Sequence, residues 1–396
     1  MNIDLVRAQT PGCAEVIHLN NAGASLPPAV VVDTVVQYIE EEARVGGYEL
    51  AERRQDELEG VYRSVAGLIG AHEDEIALVD NATRAWDMAF YSLPFAAGDR
   101  ILTTTTEYGA NFIAYLQVAA RTGARIEVVP DTPTGEIDVD ALAAMMDDRV
   151  KLISINHVPT NTGLVNPAVA VGQVARDAGV TYLLDACQSV GQLPLDVDEI
   201  GCDFLSATSR KFLRGPRGVG FLYVRDTMIE SLQPASLDLH SARWVEADRY
   251  EMRSDAKRFE VWESSPALRL GLGAACDYAL DLGLEPIWER VSMLAGMLRV
   301  ALAGIAGVTV HDKGARQAGI VTFSVAGVTA DEVKQTLANH RINVSTTSVF
   351  SARIDMEQRD LDEVVRSSVH YFNTEEELDQ TVAVVAGLMP ATPPGR

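Results

Sequence analysis

The chain has 396 residues, 47% of them apolar and 22% charged, enough for a large core and two domains in a folded soluble protein. Its 33 basic and 56 acidic side chains leave a net charge of −23, which excludes the basic footprint a nucleic-acid binder uses to displace counterions. An anionic ligand therefore needs a local positive pocket.

The opening MNIDLVRAQTPGCAEV lacks the apolar run of a signal peptide. No stretch reaches the roughly 18 uninterrupted apolar residues of a membrane span. Cys13, Cys187, Cys202 and Cys276 form no C-x-x-C pair, so a reducing cytoplasm is the expected compartment. The scattered histidines make no H-x-x-x-H pair, and no metal site is expected. Residues 28–70 read as helical, with a bend at GGYEL (46–50) where two glycines interrupt the pattern.

From 75 to 225 short apolar runs alternate with amphipathic stretches. IALV (76–79), RILTT (100–104), ARIEVVP (124–130), KLISIN (151–156), TYLLD (181–185), DFLSA (203–207) and VGFLYV (219–224) read as strands, with helices such as 167–179 between them. Alternation of this kind predicts an α/β fold built on a mostly parallel seven-stranded sheet, and runs apolar on both faces suit a doubly covered one. Residues 266–304 are again helical. Short strands at VTVH (308–311), IVTFSV (320–325) and INVST (342–346), with helices at 329–339 and 374–389, predict a smaller C-terminal α/β domain. The expected division is 1–27 as a segment joining the small domain to the active site, 28–265 as the large domain and 266–396 as the small one. PATPPGR at the end is expected to fray.

Ligands of open parallel sheets bind beyond the carboxyl ends of the strands, and three motifs fall there. VDNATRAWD (79–87) opens a helix with small polar residues, either a plain N-cap or a phosphate site. LLDACQSVG (183–191) ends an apolar strand on Asp185, which needs a positive partner or several hydrogen bonds. SATSRKFLRG (206–215) holds Lys211, one of only five lysines beside 28 arginines. Lysine, unlike arginine, can lose its proton when buried and form an imine with a carbonyl. A phosphate cradle, an acid for a ring nitrogen and a lysine for an aldehyde are the set a pyridoxal 5'-phosphate (PLP) site needs.

CDFLSATSRKFLRGPRGVGFL (202–222) resembles the lysine signature of class V aminotransferase-like, fold type I PLP-dependent enzymes. The spacing of Asp185, Gln188 and Lys211 is similar to the branch of cysteine desulfurases, selenocysteine lyases, C–S lyases and isopenicillin N epimerase-like enzymes. The likeness runs from HLNNAGASLPP (18–28) to VVRSSVHYFNTEEELD (364–379). It implies Lys211 as the catalytic residue that holds the cofactor, Asp185 as the partner of the pyridine nitrogen and Gln188 at the ring's phenolic oxygen. Ala82, Thr83, Thr208 and Arg210 are implied at the phosphate. Thr160 matches the family's amide position by counting back from Asn166-Pro167, while Asn161 has the better chemistry, and both stand as candidates. Arg366 is implied as the clamp on a substrate α-carboxylate. Asn21, Ala22, Tyr48 and Tyr108 are expected to line the substrate side. RFEVWESSPA (258–267) implies a homodimer in which Ser264 or Ser265 reaches the neighbouring subunit's phosphate.

Two departures narrow the expectation. Desulfurases carry an acceptor cysteine in the C-terminal domain, and STTSVFSARIDMEQRDLDEVVRSS (345–368) contains none. The family often stacks a histidine on the cofactor ring, and the matching position is Gly109, leaving either Tyr108 to supply a ring or an open space. The leading expectation is β-elimination at the C–S bond of an S-substituted cysteine or its sulfoxide, without a persulfide-forming cysteine. Transamination, epimerisation and a non-catalytic PLP-binding protein are the alternatives.

Overall fold

The order of the main sheet places the site. Its strands are β1 (Ile76–Val79), β2 (Arg100–Thr103), β3 (Arg125–Val128), β4 (Val150–Asn156), β5 (Thr181–Asp185), β6 (Phe204–Thr208) and β7 (Gly220–Val224). In space they run β1-β7-β6-β5-β4-β2-β3. Neighbours from β6 through β3 are parallel, while β7 lies antiparallel to both β6 and β1. This computed structural model describes residues 1–388, so the PATPPGR tail lies outside the described residues. The central strands are buried on both faces, β6 and β7 throughout, as their unbroken apolar runs predict. The register sets Asn156 of β4 beside Asp185 of β5, and Asp185 beside Ser206 of β6. Three polar side chains thus meet at the carboxyl edge.

Helices Ala29–Val45 and Gly47–Arg53 are separated at Gly46, whose φ of 98° ends the first helix as the GGYEL bend predicts. Helix α1 (Ala82–Phe90) follows β1, with the Asn81 side chain accepting from the Arg84 N–H. Helix α2 (Gly109–Thr122) follows β2.

Helices Pro266–Leu282 and Leu284–Ala303 lead into an antiparallel sheet of β8 (Val308–Val310), β9 (Ile320–Val325), β10 (Ser345–Ser348) and β11 (Glu363–Ser368), ordered β8-β9-β11-β10. The expected strand over 342–346 is two elements broken at Val344. Ile342–Asn343 pairs instead with Ile17–His18, tying the N-terminal segment to the small domain. The sequence reading leaves β11 unassigned because its second half, Arg366-Ser367-Ser368, is polar although buried. It also misses the hairpin Ala242–Glu246/Arg249–Met252, whose side chains are mostly exposed. Among the described residues no helix is long and apolar enough to cross a membrane.

Candidate active site

A narrow cleft opens at the carboxyl edge of the main sheet, where ligands of open parallel sheets bind. Ala82 and Thr83 at the start of α1 line it, with Tyr108 and Asn111 around the start of α2. The strand ends contribute Asn156, Val158, Thr160, Asp185, Cys187 and Gln188, and Lys211 completes the wall.

Lys211 sits in a tight loop after β6. The Arg214 N–H donates to the Lys211 carbonyl at 3.0 Å and the Gly215 N–H to the Ser209 carbonyl at 2.8 Å. Burial pushes the Lys211 ammonium below its usual range against the pull of Cys187 and Asp185, while the Arg210 and Arg366 guanidiniums add to the lowering. Asp185 is held from three sides. Its Oδ1 accepts from the Cys187 backbone N–H at 2.9 Å, and its Oδ2 accepts from Asn111 Nδ2 at 3.1 Å and Asn156 Nδ2 at 3.2 Å. The Cys187 thiol is pushed up by burial and further by Asp185.

Arg366 on β11 reaches over from the small domain. Its Nη1 donates to the Thr160 hydroxyl at 2.6 Å and weakly to the Thr160 carbonyl. Its Nε is buried without a partner, and the titratable groups acting on it, Tyr108, Arg210 and Lys211, include no carboxylate. Burial pushes the guanidinium down to about 10. A buried cation with no anion is costly unless a ligand supplies one.

Of the expected residues, Ala82, Thr83, Tyr108, Thr160, Asp185, Gln188 and Lys211 share the cleft. Gln188 Nε2 donates to the Ala22 carbonyl at 3.2 Å, and its Oε1 is buried without a partner. Asn161 turns away from the cleft: Thr347 donates to its Oδ1 at 2.7 Å and its Nδ2 meets Met356 Sδ. Thr208 is buried at the end of β6, and the Arg210 guanidinium donates to the Gly23 carbonyl. Asn21 is fully buried, its amide donating to the carbonyls of His18 and Ser368. Tyr48 is 77% exposed. Ser265 caps helix Pro266–Leu282, and neither it nor Ser264 lines the cleft of this chain.

No open space lies beside Gly109. Its N–H donates to the Ser351 carbonyl at 2.8 Å, and a Cβ there would meet the Phe350 carbonyl oxygen at 2.7 Å. The aromatic ring at this wall is that of Tyr108. Sequence reasoning missed Glu107, Asn111, Asn156 and Cys187; the signal for two of them was a glutamate and an asparagine four apart in EYGAN, where a strand gives way to a helix.

The donor set fits PLP. Lys211 offers an amine of lowered basicity for the aldehyde, Asp185 a carboxylate oriented by three donors, and Gln188 an unpaired buried oxygen. The first turn of α1 offers free N–H groups for a phosphate.

A family model for aminotransferase class-V matches residues 17–381, and the chain belongs to that family. Its architecture is that of the fold type I enzymes. The chain is 31% identical to a probable cysteine desulfurase of Synechocystis sp., over 92% of this chain and 88% of that protein. It is 28% identical to a probable cysteine desulfurase of Methanothermobacter thermautotrophicus, over 98% and 99% of the two chains. An apo cysteine desulfurase from Thermococcus onnurineus NA1 superposes with a TM-score of 0.91 at 26% identity, over 97% of each chain. The cystine C–S lyase C-DES, solved with its reaction product cysteine persulfide, superposes with a TM-score of 0.87 at 25% identity, over 96% of this chain and 100% of that one. A variant of C-DES has glycine covalently linked to the PLP cofactor.

Proposed function

We propose that this protein is a PLP-dependent lyase that cleaves the C–S bond of an S-substituted cysteine or its sulfoxide by β-elimination. One observation carries the choice of elimination over persulfide transfer. The segment Thr347–Ala352, which packs on Gly109 beside the cleft, holds no thiol, and among the described residues the one cysteine lining the cleft is Cys187, whose thiol burial and Asp185 push up.

When bound, PLP supplies an electron-withdrawing ring that stabilises negative charge at the substrate's α-carbon. Arg366 receives the α-carboxylate and so fixes which bonds face the ring. The Lys211 amine takes the proton from Cα, burial lowering its basicity so that more of it is free to act as a base. The Cβ–S bond then breaks, and the electron pair leaves with sulfur as a thiolate or, from a sulfoxide, a sulfenate. Water converts the remaining three-carbon fragment to pyruvate and ammonia. Asp185, held by Asn111, Asn156 and the Cys187 N–H, keeps the pyridine nitrogen protonated.

The same reading makes the working form a homodimer, with Ser264 or Ser265 directed to the phosphate of the other subunit.

Incubating the PLP-loaded protein with S-alkyl cysteines, their sulfoxides, cystine and cysteine tests the proposal. Pyruvate, ammonia and the sulfur fragment are expected in equal amounts. Alanine with a protein-bound persulfide, or no pyruvate from any member of the panel, overturns it.

A further inference from the structure

Behind Asp185 lies a second carboxylate that the proposed reaction does not use. Glu107 ends the run after β2 and is 3% exposed. All four of its hydrogen bonds are accepted. Oε1 takes the Tyr108 N–H at 2.7 Å and Asn111 Nδ2 at 3.0 Å, and Oε2 takes the hydroxyls of Thr103 at 2.8 Å and Tyr115 at 2.9 Å. The Tyr115 hydroxyl is itself 2.8 Å from Ser154 Oγ on β4. A carboxylate accepts and does not donate, so these four donors favour the ionised form against the burial that opposes it.

The Asn111 amide is the link. Its one nitrogen donates to Glu107 at 3.0 Å and to Asp185 at 3.1 Å, which places the two carboxylates on either side of a single NH₂ group. A second connection runs through the Tyr108 N–H, which also donates to Asn156 Oδ1 at 3.1 Å, while Asn156 Nδ2 donates to Asp185. Two carboxylates this close in a dry interior repel each other and persist only where positive charge compensates them. Glu107 itself has no cation among its hydrogen-bond partners.

We propose that Glu107 is a positioning residue that acts through Asn111 on Asp185, adding negative charge behind the acid and so favouring the protonated cofactor in the loaded protein. The inference rests on the PLP reading and extends it to a residue that touches neither cofactor nor substrate. The geometry is supported by the balance at Glu107, where burial pushes the carboxyl up to about 7 against the pull of its donors. The titratable groups facing it are Asp185 from β5 and Tyr115 from α2. Tyr108, Cys187, Lys211 and Arg210 lie around Asp185 on the cleft side.

The test is a pH titration of the visible absorption band of the PLP-loaded protein, read alongside its melting temperature. Glu107→Gln keeps the shape of the side chain and removes the charge. It is expected to lower the midpoint by about half to one pH unit, since a nearby negative charge favours the protonated form. Tyr115→Phe removes one donor, makes Glu107 harder to ionise, and is expected to move the midpoint the same way by less. That variant decides the question alone if Glu107→Gln does not fold. A midpoint unmoved in the variants, even with a lowered melting temperature, leaves Glu107 a purely structural group and overturns the inference while the PLP reading stands. A wild-type protein without any such band overturns both.

Discussion

The backbone N–H of Gly109 donates to the carbonyl of Ser351 at 2.8 Å, fastening the small-domain segment after β10 to the first turn of α2. The contact explains why position 109 has no side chain, because the Phe350 carbonyl occupies the space a Cβ would take.

Gly109→Ala is therefore expected to push the 349–352 segment away rather than fill a void. The clash is with backbone, so we expect a loss of about 1–3 kcal/mol of stability. Faster chymotryptic cleavage after Phe350, which is already exposed, reads the displacement directly. Unchanged cleavage and melting would show that the segment is not held there.

Arg366→Leu separates binding from stability. Losing the guanidinium is expected to lower kcat/KM for α-amino acids on the order of 100- to 1,000-fold. In the cofactor-free protein the same change removes a buried cation that has no anion, so melting should stay level or rise. Steady-state kinetics and calorimetry on one preparation check both.

Stability against pH has two opposing parts in the cofactor-free protein. Burial raises Glu107 from 4.5 to about 7, so its contribution favours the fold below pH 4.5 and is lost as pH rises through about 7. Burial, with Arg316 adding, lowers His157 from 6.5 to about 3, so its contribution is present above pH 6.5 and lost as pH falls toward 3. Between pH 4 and 8, Glu107→Gln should flatten the alkaline side and His157→Leu the acid side, each by on the order of 3 kcal/mol. Urea unfolding between pH 4 and 8 measures each.

Arg214 is a structural clamp with an unusual backbone. Its φ is 63°, and its guanidinium donates to the Leu26 carbonyl at 2.8 Å, the Tyr371 hydroxyl at 2.8 Å and the Thr10 hydroxyl at 2.6 Å. Arg214→Gly relieves the backbone but orphans those acceptors, and the second effect is larger because the site is buried. We expect a net loss of about 2–4 kcal/mol, with faster hydrogen exchange confined to residues 3–28.

The seven strands, the glycine bend at 46 and the lysine loop were legible in the sequence because apolar runs and glycines report backbone state locally. The cleft residues were legible where they end such a run, as Asp185 does, or follow it in a glycine-rich loop, as Lys211 does. Less visible was what depends on register. Asn156 meets Asp185 only because β4 and β5 align at those residues, and nothing local distinguishes it from Asn161, which turns to Thr347 instead. Strand β11 hid for the same reason, since its polar residues are buried by partners from distant segments of the chain.

The placement of this chain's own sulfur bears on the proposed reaction, whose product carries reactive sulfur. Cys202 and Cys276 are fully buried and Cys13 is half-buried, and burial holds each thiol, like Cys187, above the usual range. Protonated thiols are poor nucleophiles and oxidise slowly. Under the proposed reaction, a thiolate or sulfenate leaving the cleft meets thiols whose ionisation burial opposes, which spares the chain's own sulfur from attack by the product.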